Sequence, residues 1–245
     1  MKTYGLIGKS LTHSFSKDYF EKKFALLGIN DCQYQNFEIE SISQFPELIS
    51  GHPSLRGLNV TIPYKEIIIP YITEMNAEAR EIGAVNCIWV GNGKLIGYNT
   101  DVYGFSQSIK PFLDHHHQRA LVLGSGGASK AVVYSLSKLG VDVYTVTSRQ
   151  KTHDKMFHYN ELNSIIMDAF KLVVNCTPLG TLPDLNTCPA LPYEHFTPQH
   201  LAYDLVYNPP QTTFLKKAAE KGALTVNGLS MLQLQADKSW EIWNS

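Results

Sequence analysis

The chain has 245 residues, 44% of them apolar and 18% charged, with a formal net charge of −1. That balance is enough for a buried core in one large or two modest domains. It argues against nucleic acid or an anionic membrane as the main partner, because both need concentrated positive charge.

Strand and helix patterns then alternate along the chain. Tyr4 to Gly8 reads as a buried strand, Lys17 to Leu27 as a helix closed by Gly28, and Tyr34 to Glu38 as a second strand. Ile42 to Ile49 reads as a helix, and Gly57 to Thr61 as a third strand that must turn at Pro63, which cannot continue a ladder. Helices are predicted over Lys65 to Tyr71 and Glu74 to Ile82. Val85 to Val90 and Lys94 to Tyr98 form a strand pair around the turn Gly91-Asn-Gly93. A helix runs from Asp101 to about Leu113, and the polar stretch Asp114 to Arg119 reads as a linker. Beyond it a βαβ rhythm sets in. Strands are predicted at Ala120 to Gly124, Asp142 to Thr147, Lys171 to Asn175, Leu201 to Asp204 and Thr225 to Asn227; helices are predicted at Lys130 to Leu139 and Thr213 to Glu220. Leu232, Ala236, Trp240 and Trp243 recur at helical spacing in the tail, Leu229 to Trp243. The alternation implies α/β layers with largely parallel sheets.

Four cysteines (Cys32, Cys87, Cys176 and Cys188) form no Cys-x-x-Cys pair, so neither a disulfide framework nor a zinc knuckle is expected. The three histidines at 115 to 117 lack other ligands, and no metal is required. No signal segment precedes Tyr4, and no apolar run approaches the ~20 residues that span a bilayer. A cytoplasmic protein is expected, as a monomer or homodimer.

Two sets of residues carry chemistry. The first is the run Gly124-Ser-Gly-Gly-Ala-Ser129, set between a strand and a helix. Gly124, Gly126, Gly127 and Ala128 let backbone approach a pyrophosphate, and the following helix supplies free N–H groups. Ser129 takes the last glycine position of the full pattern, so the flanking strand and helix carry the assignment. The next strand ends at Thr147-Ser148-Arg149, with no acidic residue to bind a ribose 2′-hydroxyl. A hydroxyl and a guanidinium there suit a 2′-phosphate, which points to NADP; an exposed loop arginine is the plain alternative.

The second set lies in the first hundred residues, at the edges of elements: His13-Ser-Phe-Ser16, Asn59-Val-Thr-Ile-Pro-Tyr-Lys65, Gly83-Ala-Val-Asn86 and Tyr98-Asn-Thr-Asp101. Singly, each reads equally well as a cap or a turn. Together with Asn175-Cys-Thr-Pro-Leu-Gly180, Asp204-Leu-Val-Tyr-Asn-Pro209, Asn227-Gly-Leu-Ser-Met-Leu232 and Gln235-Ala236, in that order, they resemble the shikimate dehydrogenases from Tyr4 to Trp243.

The resemblance implies NADP-dependent reduction of 3-dehydroshikimate to shikimate. It implies Lys65 and Asp101 as the catalytic pair, and Ser14, Ser16, Thr61, Asn86, Tyr207 and Gln235 as substrate-binding groups. Gly124, Gly126, Gly127, Ala128, Ser148, Arg149, Thr177, Gly228 and Met231 would hold the cofactor, the last two beside the nicotinamide. Lysine suits the chemistry, since an ammonium both stabilises charge on a ketone oxygen and donates the proton. Lys17, Cys87, Ser148, Gln150 and Thr181 depart from the family pattern. None is a catalytic group, but the changes around Arg149 leave its guanidinium with fewer partners for a phosphate.

The expected architecture is a two-domain α/β protein. Residues 1–101 with 229–245 form the substrate domain, and residues 102–228 a Rossmann-like domain. The tail helix returns to the first domain, and the substrate meets the cofactor in the intervening cleft. Two rivals are an NAD-preferring quinate/shikimate dehydrogenase and a non-catalytic nucleotide-binding regulator on the same scaffold.

Overall fold

In the computed structural model, which describes residues 1–12 and 14–245, the chain forms two units: residues 1–103 with 235–245, and residues 104–234. The dividing lines fall inside helices α5 (Asp101–Ile109) and α9 (Leu229–Trp243), not at their first residues as expected. His13 lies outside the described residues. Among those described, no helix is long and apolar enough to cross a membrane.

The first unit is built on a six-stranded sheet of β1 (Lys2–Gly8), β2 (Cys32–Glu38), β3 (Leu55–Val60), β4 (Glu74–Met75), β5 (Cys87–Gly91) and β6 (Lys94–Tyr98), in the order β2-β1-β3-β5-β6-β4. β1 runs parallel to β2 and β3, β5 is antiparallel to β3 and β6, and β4 is parallel to β6. The sheet is therefore mixed, where a largely parallel one was expected. Part of this is the expected hairpin between β5 and β6, closed by Asn92 and Gly93 at positive φ (51° and 72°); the antiparallel pairing of β5 with β3 was not expected.

Helix α1 (Phe15–Leu27) starts two residues before the expected Lys17, because Ser14 caps it by accepting from the Ser16 N–H; Gly28 ends it in the left-handed region. The segment Glu74–Ile82 is not one helix. Its first two residues are β4, and α4 (Ala77–Ile82) begins only after Asn76, whose side chain accepts from the Ala79 N–H at 2.9 Å. The helices expected at 42–49 and 65–71 each pair a 3-10 turn with a short α-helix: Ile42–Gln44 precedes α2 (Phe45–Gly51), and α3 (Tyr64–Ile67) precedes Ile69–Tyr71.

Apolar clusters cover both faces of this sheet. One gathers Phe37, Phe45, Leu58, Tyr64 and Ile88. The other joins Tyr4, Phe20, Phe24 and Tyr34 to Ala236 and Trp243 of α9. Trp243 stacks on Tyr4 at 5.1 Å and donates from Nε1 to the Ile88 carbonyl at 3.0 Å. A Cβ on Gly57 would lie 2.3 Å from the indole, so glycine is needed for this close approach.

The second unit is a six-stranded sheet of β7 (Arg119–Leu123), β8 (Asp142–Thr147), β9 (Met156–His158), β10 (Leu172–Asn175), β11 (Leu201–Asp204) and β12 (Leu224–Val226), all parallel. Its order β9-β8-β7-β10-β11-β12 is the 3-2-1-4-5-6 order of dinucleotide-binding Rossmann folds, with the switch point between β7 and β10. Helix α6 (Gly127–Lys138) follows β7, and α8 (Thr213–Ala219) follows β11. β9 and α7 (Ser164–Ala169) were not expected; Asn163 caps α7 by accepting from the N–H groups of Ile165 and Ile166. The stretch 114–119 is no simple polar linker either. His117 is buried, its Nδ1 3.1 Å from an Asp114 carboxylate oxygen, and desolvation lowers its pKa.

Candidate active site

Strand register explains how residues far apart in sequence meet in the first unit. Leu6 pairs with Asn59, Asn59 with Cys87, and Cys87 with Tyr98, so one row crosses β1, β3, β5 and β6. β3 and β6 end at this edge while the antiparallel β5 begins there. Thr61 and Lys65 leave the end of β3, Asn86 enters β5, and Asn99 to Asp101 leave β6. Open α/β sheets bind ligands at such strand ends, beside the reversal of strand order, which here lies between β1 and β3.

The central contact is an ion pair. Lys65 Nζ donates to Asp101 Oδ2 at 2.6 Å, and the two side chains are only 15% and 7% exposed. Asn86 Nδ2 donates to the other oxygen, Oδ1, at 2.7 Å. The Thr100 N–H in turn donates to Asn86 Oδ1 at 2.6 Å, which fixes the amide's orientation: its nitrogen must face the carboxylate. The Lys65 carbonyl accepts from the Val85 N–H at 2.7 Å, tying α3 to the segment that carries Asn86 into β5.

Behind this pair runs a buried polar network. The Ser239 hydroxyl on α9 accepts from Asn59 Nδ2 at 2.8 Å, lies 3.1 Å from the Thr100 hydroxyl, and donates to the Gln235 carbonyl at 2.9 Å. Gln235 Oε1 sits 3.5 Å from Asn86 Nδ2 and 3.4 Å from the Thr100 hydroxyl. Tyr34 donates to Asn59 Oδ1 at 2.9 Å, and burial holds its phenol well above the ordinary range. Cys87, another buried neighbour, has its thiol pushed up to about 12 by desolvation.

Of the residues expected at the site, Lys65, Asp101, Asn86 and Gln235 are thus brought together. Ser14 and Ser16 sit at the start of α1, with Ser16 buried, and half-buried Thr61 donates its N–H to the Ile7 carbonyl at 2.9 Å, bridging β3 back to β1. Tyr207, Gly228 and Met231 belong to the second unit. Asn59, Thr100 and Ser239 were not singled out in the sequence, although Asn59 and Thr100 lie inside its motifs. Ser239 follows Gln235 by one helical turn, a spacing that points to it.

In the second unit, the glycine turn stands at the switch point. Gly124 has φ +101°, and a Cβ there would be 3.2 Å from Thr177 Cγ2 on the loop after β10. Gly126 is extended and caps α6 without a side-chain hydrogen bond, and a Cβ added to it would face open space. Ala128 is half-buried in the first turn of α6. An open glycine backbone leading into an uncapped helix start fits a pyrophosphate. Ser148 and Arg149 are exposed beyond β8, where the Arg149 N–H donates to Thr147 Oγ1 at 3.0 Å and the guanidinium is placed at the surface. Gly228 approaches Leu205 so closely that a Cβ would lie 2.1 Å from its carbonyl oxygen. Met231 is packed into the second unit's core with Phe105 and Tyr203.

Three comparisons bear on this arrangement. Residues 6–88 match the family model of the shikimate dehydrogenase substrate binding domain. The NADP(+) shikimate dehydrogenase of Carboxydothermus hydrogenoformans is 37% identical, over 99% of this chain and 91% of its own length. Among solved structures, shikimate dehydrogenase from Aquifex aeolicus is 34% identical with a TM-score of 0.88, covering 100% of this chain and 92% of that one. Shikimate 5-dehydrogenase from Thermus thermophilus, in complex with NADP(H) and shikimate, is 30% identical with a TM-score of 0.86, covering 99% and 93%.

Proposed function

The chain belongs to the shikimate dehydrogenase family, and on that premise we propose that it catalyses the reversible NADP-dependent reduction of 3-dehydroshikimate to shikimate, with Lys65 and Asp101 as its catalytic pair. The observation that carries this reading is the Lys65–Asp101 ion pair, held at a sheet edge by Asn86. A protein that only binds a nucleotide has no use for a buried ammonium fixed on a carboxylate in its other unit.

When bound, NADPH supplies the hydride. Lys65 Nζ meets the charge that develops on the ketone oxygen and donates its proton there. Asp101 accepts from Lys65 through Oδ2 and from Asn86 through Oδ1, so the ammonium is positioned before substrate arrives. In the oxidation direction the lysine amine takes the hydroxyl proton back. Ser14, Ser16, Thr61, Asn86, Tyr207 and Gln235 are neutral donors and acceptors, matched to the carboxylate and hydroxyls of a small polyhydroxylated acid. Gly124, Gly126, Gly127 and Ala128 would hold the pyrophosphate, with Thr177 beside the glycine turn, Ser148 and Arg149 the 2′-phosphate, and Gly228 and Met231 the nicotinamide end. The free cysteines fit the reducing cytoplasm.

Steady-state kcat/KM for shikimate and quinate, each with NADP and NAD, tests this reading. Shikimate with NADP is expected to be the best of the four combinations. Lys65→Ala should lower kcat by about 10²–10⁴, the usual share of general acid–base catalysis, while NADPH affinity stays near wild type. Wild-type turnover in that variant would rule out Lys65.

A further inference from the structure

Asn175 and Asp204 end adjacent parallel strands, and they are register partners. Both are fully buried. Asn175 Nδ2 donates to Asp204 Oδ1 at 2.9 Å. The same oxygen accepts from the Val206 N–H at 3.0 Å, and Oδ2 accepts from the Thr212 hydroxyl at 2.6 Å. With its nitrogen committed to a carboxylate, the Asn175 amide can point its oxygen only one way. That oxygen accepts from the Thr177 N–H at 3.0 Å and from the Thr177 hydroxyl at 2.6 Å.

Thr177 stands at the Rossmann switch point, where its methyl group faces Gly124 of the glycine turn. β10 is held there by the backbone as well: the Cys176 N–H donates to the Leu123 carbonyl at 2.9 Å, and the Leu205 N–H to the Asn175 carbonyl at 2.9 Å. The backbone bonds fix where the strands end. The side-chain relay fixes how the chain leaves β10.

We propose that Asp204 is a positioning residue for the dinucleotide, acting through Asn175 to hold Thr177 and the loop after β10 in the conformation that receives it. This inference rests on the NADP assignment above. A carboxylate is suited to the task because it is acceptor-only and meets three fixed donors. Buried partners of this kind rigidify the groups that touch a ligand.

The test is the dissociation constant of NADPH, from fluorescence titration, for the wild type, Asp204→Ala, Asp204→Asn, Asn175→Ala and the double variant Asp204→Ala/Asn175→Ala. Shikimate affinity is measured in parallel by calorimetry. Asp204→Ala and Asn175→Ala should each weaken NADPH about tenfold and leave shikimate unchanged. Asp204→Asn should stay within about threefold of wild type, since its oxygen can still face Asn175 while Thr212 turns to accept. The double variant should match Asn175→Ala, because coupled residues are not additive. Additive losses, or equal losses for NADPH and shikimate, would show a merely structural role. Should Asp204→Ala not fold, a folded Asn175→Ala with wild-type NADPH affinity still overturns the proposal. A wild-type protein that binds neither NADPH nor NADP overturns the cofactor assignment itself, which is a separate outcome.

Discussion

Asp101→Asn is the most discriminating substitution in the first unit, because it preserves shape and removes only charge and one acceptor. The carboxylate meets two groups that can only donate: the Lys65 ammonium at 2.6 Å and Asn86 Nδ2 at 2.7 Å. Asn86 cannot turn to relieve a conflict, since its oxygen already accepts from the Thr100 N–H. An asparagine at 101 has one oxygen for two donors, so one contact becomes N–H against N–H. Breaking one partner out of a buried pair costs about 3–5 kcal/mol, and leaving a buried donor unmatched about 1–3 kcal/mol. The pair retains some solvent access at Lys65, so about 3 kcal/mol is a fair expectation for the loss of transition-state stabilisation. That corresponds to a fall in kcat of about a hundredfold. The assay is steady-state shikimate oxidation, with NADPH affinity measured alongside; the latter should not move, because the glycine turn lies in the other unit. A kcat within about fivefold of wild type would mean that the ion pair does not prepare the proton donor, and the reasoning would fail.

Trp243→Ala removes an indole stacked on Tyr4 together with its hydrogen bond to the Ile88 carbonyl. Denaturant unfolding should show a loss of about 3–5 kcal/mol, and a loss under about 1 kcal/mol would contradict the packing described. Gly228→Ala forces a methyl against the Leu205 carbonyl, 2.1 Å from the Cβ position. It should cost about 1–3 kcal/mol of stability, and a variant with an unchanged unfolding midpoint would count against that contact. Burial lifts the Asp204 pKa from 3.8 to about 6, so the folded chain takes up this proton at higher pH than the unfolded one. The stability linked to it is complete below about pH 4 and is lost as pH rises through about 6, a change of about 3 kcal/mol. His117 and His200, whose pKa values burial lowers, act in the opposite direction as pH falls. The difference between wild type and Asp204→Asn in urea unfolding from pH 4 to 8 isolates the carboxylate; identical pH profiles would remove it as a titrating group.

Much of this arrangement is legible in the sequence, and its gaps have physical causes. The final helix, Leu229–Trp243, coincides with the expected span because its apolar face repeats at helical spacing and its start follows Asn227-Gly228. A place at an element edge alone fits caps and turns equally well; Lys65, Asn86 and Asp101 could be named because their motifs together resemble those of the shikimate dehydrogenases. Their mutual contact could not, because it depends on the antiparallel pairing of β5, which inverts one strand and lays Asn86 beside the residues that follow β6. The helix expected over Glu74–Ile82 failed for a local reason. Asn76 prefers to cap, and its side chain competes with the backbone for the Ala79 N–H. β9 escaped notice because three residues on a sheet edge carry too little alternation to register.

The two units place their chemistry by the same topological rule and with different atoms. Strand order reverses between β1 and β3 in the first and between β7 and β10 in the second; the Lys65–Asp101 pair stands beside the one, at the ends of β3 and β6, and the glycine turn at the other. At β7 the groups proposed to face the dinucleotide are backbone N–H groups, since a pyrophosphate needs close approach and carries its own charge. Gly124, at φ +101°, takes a conformation that strains an L side chain, and the side chains proposed to support the turn stand behind it, at Thr177 and Asn175. At β3 the proposed groups are side chains, because on that reading the ketone of a small acid must be given a proton and the substrate distinguished by its carboxylate and hydroxyls. Side chains of that kind are useful only if their rotamers are fixed. The buried Asn59, Thr100 and Ser239 supply such restraint by hydrogen bonds to Asn86 and to one another. The same logic predicts where substitutions will be felt: through backbone strain at the glycine turn, and through hydrogen-bond mismatch around Asp101.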